Sequence, residues 1–253
     1  MDFSLLHALI LIATGIVAGV INTLAGGGTN LTLPALMIMG MPPEVANATN
    51  RVGVFLQNIV ALLGFKKHKK LPTDDIGPIL VPTILGGCLG AIAAAYAPSE
   101  ILKPLLFTAM ISMTLIMLFR PSVISPPVGT IPNKVKATPS SWWWLTVAGF
   151  YGGFVQAGVG FILITALAGS LRYDLVRTNA LKVVCVAVFT GMALLVFIFQ
   201  GLIWWAPGLV LALGTMIGAH VAVKFAISAK PSTLKWFLFV MTVCGAVAAY
   251  VFD

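Results

Sequence analysis

Acidic residues are scarce in this chain. Seven Asp and Glu occur in 253 residues, and charged residues of both signs amount to 9%. A soluble domain carries about 25% charged residues, so there is too little polar surface here to cover a water-soluble enzyme. Cysteine is equally sparse. Cys88, Cys185 and Cys244 fall inside apolar runs without metal-ligand spacing, which excludes a disulfide-stapled secreted domain and makes them small buried side chains. No P-loop, catalytic triad or metal cluster is present, so neither ATP hydrolysis nor metal chemistry is supported and no cofactor is expected. The glycines sit within apolar runs, which excludes disorder and a collagen-like fibre.

Apolar residues fill the space. They make up 59% of the chain, and the mean hydropathy is +1.04. The composition predicts an all-α integral membrane protein. A span needs about 20 apolar residues, and eight stretches qualify: Leu5–Leu24, Val45–Phe65, Ile76–Ala97, Ile101–Phe119, Trp142–Phe161, Leu175–Phe199, Leu202–Lys224 and Leu234–Phe252. Two shorter pieces, Leu31–Met41 and Ile162–Leu171, each follow a glycine cluster and are too short to cross. They are expected to be re-entrant half-helices or the second parts of broken helices. The first stretch has no basic region before it, so it is a membrane segment rather than a cleaved signal peptide.

The net charge of +8 reports topology and gives no reason to expect nucleic acid as a partner, because basic residues collect in cytoplasmic loops. Lys66, Lys67, Lys69 and Lys70 place the end of the second span inside. Alternation from there puts Arg120, Lys134, Lys136, Arg172, Arg177, Lys224, Lys230 and Lys235 inside, and Asp2, Glu44, Glu100 and Asp253 outside. The N- and C-termini are therefore expected outside. Trp142–Trp144 and Trp236 then form an inner aromatic belt, and Tyr96, Trp204, Trp205 and Tyr250 an outer one. Only Arg51, Lys103 and Lys182 stand apart among the basic residues, and Lys103 has Glu100 three residues before it.

The chain repeats itself. Gly15, Gly19 and Asn22 match Gly149, Gly153 and Gln156 in spacing; Ala25–Gly28 matches Ala157–Gly160; Thr49-Asn50 matches Thr178-Asn179; and Gly86, Gly90 and Ala91 match Gly214, Gly218 and Ala219. Small residues four apart are common in membrane helices, but four matches in one order indicate a duplication. The expected domains are a first transmembrane repeat over 1–119, a cytoplasmic proline-rich linker over 120–141 and a second repeat over 142–253. A glycine break that turns each half back to its own side makes the two repeats inverted, as in many secondary transporters. A first segment that crosses completely as a long broken helix is the alternative.

Glycine at membrane depth exposes backbone groups, which hydrocarbon does not satisfy; such backbone survives only against protein or a water-filled cavity. The stretch carrying Asn22, Gly26, Gly27, Gly28 and Thr29 opens a half-helix whose first N–H groups suit an anion, and Gln156, Gly158 and Gly160 repeat the feature. The bland alternative is glycine-mediated helix packing. Thr49, Asn50 and Arg51 lie about one turn into the second span, and Thr178, Asn179 and Lys182 occupy the matching part of the sixth. Embedded cations without nearby carboxylates are functional candidates by default, with snorkelling to the interface as the alternative. Gln57 and Asn58, seven residues past Asn50 and Arg51, extend a polar stripe along one helical face. His220 could carry a proton, and His68 belongs to the basic loop. The lack of carboxylates inside the spans argues against a cation pump.

The run Ala18-Gly19-x2-Asn22-x-Leu24-Ala25-Gly26-Gly27-Gly28, with Leu33-Pro34-Ala35-Leu36, Gly40-x-Pro42-Pro43 and Ala48-Thr49-Asn50, resembles the sulfite exporter TauE/SafE family. Gly153-x4-Gly158-x-Gly160-Phe161 and Thr178-Asn179 extend the resemblance through the second half, where Arg177 departs from the small residue usual before the threonine-like position. The resemblance implies a bacterial inner-membrane transporter for a small sulfur-containing anion such as sulfite, a sulfonate or sulfoacetate. The substrate-binding residues expected are those of the two breaks and of the two Thr-Asn segments. An anion channel and a non-transporting membrane binding or scaffold protein are the alternatives, and the oligomeric state is open.

Overall fold

The computed structural model describes residues 4–98 and 129–228, together with 100, 101, 104, 105, 108, 112 and 126. The expected span Leu234–Phe252 and most of Ile101–Phe119 lie outside the described residues, as do Lys103, Arg120, Lys230, Lys235, Trp236, Cys244 and Tyr250. Every regular element among the described residues is helical: α1 (Leu5–Leu24), α2 (Thr29–Ile38), α3 (Pro43–Lys67), α4 (Ile76–Tyr96), α5 (Pro139–Phe154), α6 (Val159–Ile164), α7 (Leu175–Phe199) and α8 (Trp205–Ser228). The chain of α6 continues as a π-helical turn over Thr165–Ser170. Among the described elements, Leu5–Leu24, Thr73–Tyr96, Leu175–Phe199 and Trp205–Ser228 are long and apolar enough to cross a membrane. Helix α3 is as long as α7, but the buried Asn47, Asn50, Arg51, Gln57 and Asn58 make it more polar.

Local chemistry sets the helix starts. Ser4 and His7 form a reciprocal capping box at α1. Asp174 accepts the Arg177 N–H at the start of α7. Pro43 and Pro139 open α3 and α5, where a missing N–H is harmless. Within α4, Pro82 interrupts the ladder, and the Thr83 hydroxyl donates to the carbonyls of Ile79 and Leu80 close by.

Contacts at two points along each pair give the helix directions. Ile12 lies against Gly214 and Ile16 against Gly218, so α1 and α8 run parallel. Thr49 lies against Gly208 and Gly64 against Val223, so α3 runs the same way. Thr83 lies against Gly149 and Gly87 against Gly153, which makes α4 and α5 parallel. Tyr173 bonds Asp75 where α7 and α4 begin, and Phe189 meets Gly87 further along both, so α7 joins that second group. The groups oppose each other. Arg51 lies under the Phe197 ring and Phe55 against Gly191, so α3 and α7 are antiparallel. The matching elements α1 and α5, α3 and α7, and α4 and α8 therefore run in opposite directions.

Each break reverses the chain. Gly28 comes back against Ala18, and Leu33 and Leu36 of α2 pack in one cluster with Leu11 of α1. Val159 returns to Gly152, and Leu163 and Leu167 pack with Leu145 and Ala148 of α5. The hairpin expectation describes both turns. The expected fifth span Trp142–Phe161 is corrected: α5 stops at Phe154, because the residues up to Phe161 are apolar in composition but form the turn and the start of α6. Likewise, the expected piece Leu31–Met41 begins two residues earlier, at Thr29, and ends at Ile38.

Candidate functional site

The two helix breaks have one construction. At the end of α1, the N–H groups of Ala25 and Gly26 both donate to the Ile21 carbonyl, at 2.7 and 2.9 Å. At the end of α5, those of Val155 and Gln156 both donate to Tyr151, at 2.9 and 3.0 Å. Gly26 and Gln156 follow with φ of +95° and +67°, the left-handed conformation that closes many helices and that glycine adopts without strain. Gly28 and Gly158 then cap α2 and α6. This pairs Gly26 with Gln156 and Gly28 with Gly158, two residues away from the register suggested by Ala25–Gly28 against Ala157–Gly160. Gln156 therefore occupies a glycine-like position rather than that of Asn22, and it holds a strained conformation there. The two turns touch: a Cβ on Gly26 would sit 2.2 Å from the Gly160 Cα.

Each break ends a helix inside the protein and leaves carbonyls that carry partial negative charge. A cation from the other half meets each one. Arg51 of α3 donates to the carbonyls of Gly152, Gly153 and Phe154 at the end of α5, and to the Asn47 Oδ1. Asn47 adds its own amide to Phe154, at 3.1 Å. Lys182 of α7 donates to the Thr23 carbonyl at the end of α1 and to the Asn179 Oδ1, each at 2.9 Å. The cations therefore cross between the halves, and each holds the end of the other half's broken helix.

Between the breaks lies a small cavity. It is lined by Asn22, Gly26 and Thr29 from the first break, Gln156, Val159 and Gly160 from the second, Val54, Gln57 and Asn58 from α3, and Lys182 and Val186 from α7. These positions fall near the middle of the long helices α3 and α7. Gln156 donates its amide to Thr190 at 2.8 Å while its Oε1 is without a donor, as is the Gln57 Oε1. Lysine has three N–H donors, and Lys182 uses two of them on protein oxygens.

Of the residues expected from sequence, Asn22, Gly26, Thr29, Gln156, Gly160 and Lys182 line the cavity, and the others do not. The Gly28 N–H donates to the Asn22 Oδ1, at 3.0 Å. Gly27 and Gly158 belong to the turns themselves. Thr49 accepts the Trp204 N–H just before α8, and Asn50 accepts the Thr32 hydroxyl of α2. Thr178 donates to the Tyr173 carbonyl, and Asn179 steadies Lys182. Arg51 is fully buried and is engaged at the end of α5. Gln57 and Asn58 do reach the cavity, and their seven-residue spacing from Asn50 and Arg51 was the signal for them. Nothing in the spacing singled out Thr190, because its role depends on packing between α5 and α7.

A second polar cluster joins both halves where α4 and α7 begin. The Tyr173 hydroxyl donates to Asp75 at 2.5 Å. Arg177 pairs with Asp174 and donates to the Thr130 carbonyl, and Asn133 of the linker bonds the backbone of Ser170 and Leu171. Burial, reinforced by Asp75, pushes the Tyr173 phenol above its ordinary range, so it stays protonated and donating.

A family model described as "Sulfite exporter TauE/SafE" matches residues 11–249. A probable membrane transporter protein of Haemophilus influenzae is 28% identical over 244 residues, covering 96% of this chain and 94% of that protein. The probable membrane transporter protein ORF9 of a Sinorhizobium species is 27% identical, over 94% of this chain and 90% of its own. The probable membrane transporter protein YfcA of Escherichia coli K12 is 28% identical, over 87% and 80%.

Proposed function

The chain belongs to the sulfite exporter TauE/SafE family and is a membrane transporter; from that premise we propose that it exports a small sulfur-containing anion of the sulfite, sulfonate or sulfoacetate type across the bacterial inner membrane. The observation that carries this reading is Lys182, a buried cation lining a cavity between two helix breaks where no carboxylate is among the lining residues. A buried charge costs several kcal/mol unless it is compensated, and an anion in the cavity compensates it. Lys182 supplies charge, Asn22, Thr29 and Gln156 supply polar contacts, and the glycines let backbone approach the occupant.

The reading includes two inverted repeats, with the proline-rich linker cytoplasmic and both termini outside. One group of parallel helices (α1, α3, α8) faces the other (α4, α5, α7) across the cavity, an arrangement suited to alternating access by movement of one group against the other. A membrane that is negative inside favours anion export by about 2.3 kcal/mol per charge per 100 mV, so efflux needs no coupling ion. Proteoliposomes loaded with sulfite test the proposal. Saturable efflux above that of empty vesicles is expected. Efflux without saturation means a channel, binding without flux a non-transporting binding protein, and absence of both for every sulfur oxyanion a scaffold protein.

A further inference from the structure

Among the described residues Arg51 and Lys182 are buried cations, and of these two Lys182 reaches the cavity. Arg51 has its guanidinium shared among three backbone carbonyls and Asn47, and it is not among the lining residues. Lys182 is 1% exposed and lines the cavity. No second cation and no carboxylate accompanies it among the lining residues. The apolar stretches 101–119 and 234–252 carry a charged residue only within their first three positions.

Resting on the reading of this cavity as an anion site, we propose that it selects singly charged oxyanions and excludes doubly charged ones of the same shape, with Lys182 as the discriminating group. One ammonium compensates one negative charge. A second would stay uncompensated in a site shielded from water, where desolvation of a charge outweighs what neutral dipoles return. The neutral lining adds a proton acceptor for one such anion. Gln57 and Gln156 each leave a carbonyl oxygen without a donor, to which hydrogen sulfite can offer an O–H. A sulfonate keeps no proton, so its acceptance rests on its single charge alone. This narrows the three substrate types proposed above: hydrogen sulfite and simple sulfonates are accepted, and sulfoacetate, with two ionised groups, drops out.

The test uses the full-length protein in proteoliposomes with two probes of nearly equal size and fixed charge, methanesulfonate and sulfate, and sulfite alongside. Wild-type protein is expected to carry methanesulfonate roughly tenfold faster than sulfate at equal concentration. Lys182→Arg keeps that preference, whereas Lys182→Gln slows methanesulfonate and loses it. Equal transport of both probes by the wild type, with sulfite carried, overturns the charge selectivity while the anion site stands. Lys182→Gln protein that keeps the full preference removes Lys182 as its cause. Absence of flux and binding for all three overturns the anion-site reading itself.

Discussion

Arg51 and Lys182 look alike in sequence, each a lone cation early in a polar-starting span, yet their partners separate them. Arg51 satisfies three carbonyls at once, and an unmade buried hydrogen bond costs about 1–3 kcal/mol. Arg51→Ala is therefore expected to lower the thermal midpoint in detergent and reduce the yield of folded protein, while the surviving fraction keeps its anion affinity. A loss of affinity with stability unchanged would place Arg51 in the cavity after all. Gln156 gives a contrasting case. Its left-handed backbone costs about 1–2 kcal/mol for a residue other than glycine, so Gln156→Gly is expected to hold or raise the thermal midpoint while lowering anion flux by removing the amide from the cavity. Reduced stability in that variant would show that the bond to Thr190 outweighs the strain.

At the level of helices, the glycine repeats act as close-packing surfaces between halves. A Cβ on Gly90 would sit 2.0 Å from the Phe150 carbonyl oxygen, and one on Gly218 would sit 2.1 Å from that of Ile16. Backbone cannot yield as a flexible side chain can. Gly90→Val and Gly218→Val are expected to separate α4 from α5 and α1 from α8, read as loss of monodisperse protein on size exclusion. Gly77→Ala, at a position open on all sides, should leave elution unchanged. The Tyr173–Asp75 bond joins the starts of α7 and α4. Tyr173→Phe removes only its hydroxyl and is expected to speed amide hydrogen exchange in the linker and the α6–α7 turn, with the cavity residues unaffected.

For the whole molecule, orientation and charge movement follow from the two opposed helix groups. In a background freed of native cysteines, Gly201→Cys between α7 and α8 is expected to react with a membrane-impermeant thiol reagent on intact cells, and Lys70→Cys between α3 and α4 only after permeabilisation. The reverse pattern would invert the proposed topology. Most of the large-scale plan was legible in the chain. The bounds of Leu5–Leu24 and Leu175–Phe199 coincide with α1 and α7, because each follows a capping residue, Ser4 or Asp174, and closes at the end of an apolar run, and both signals are local. The glycine spacings also marked surfaces that suit close helix packing. The end of α5 at Phe154 was not legible, since apolar composition continues through Phe161 while the backbone turns at Gln156. Composition and hydropathy thus determined a helical membrane protein, and repeated spacing marked its paired glycine breaks, because solvent and backbone satisfaction act residue by residue along a span. Only the tertiary structure decided that Arg51 closes a helix end while Lys182 lines the cavity. Their partners are carbonyls over a hundred residues away in sequence, brought near only when the two halves pack together.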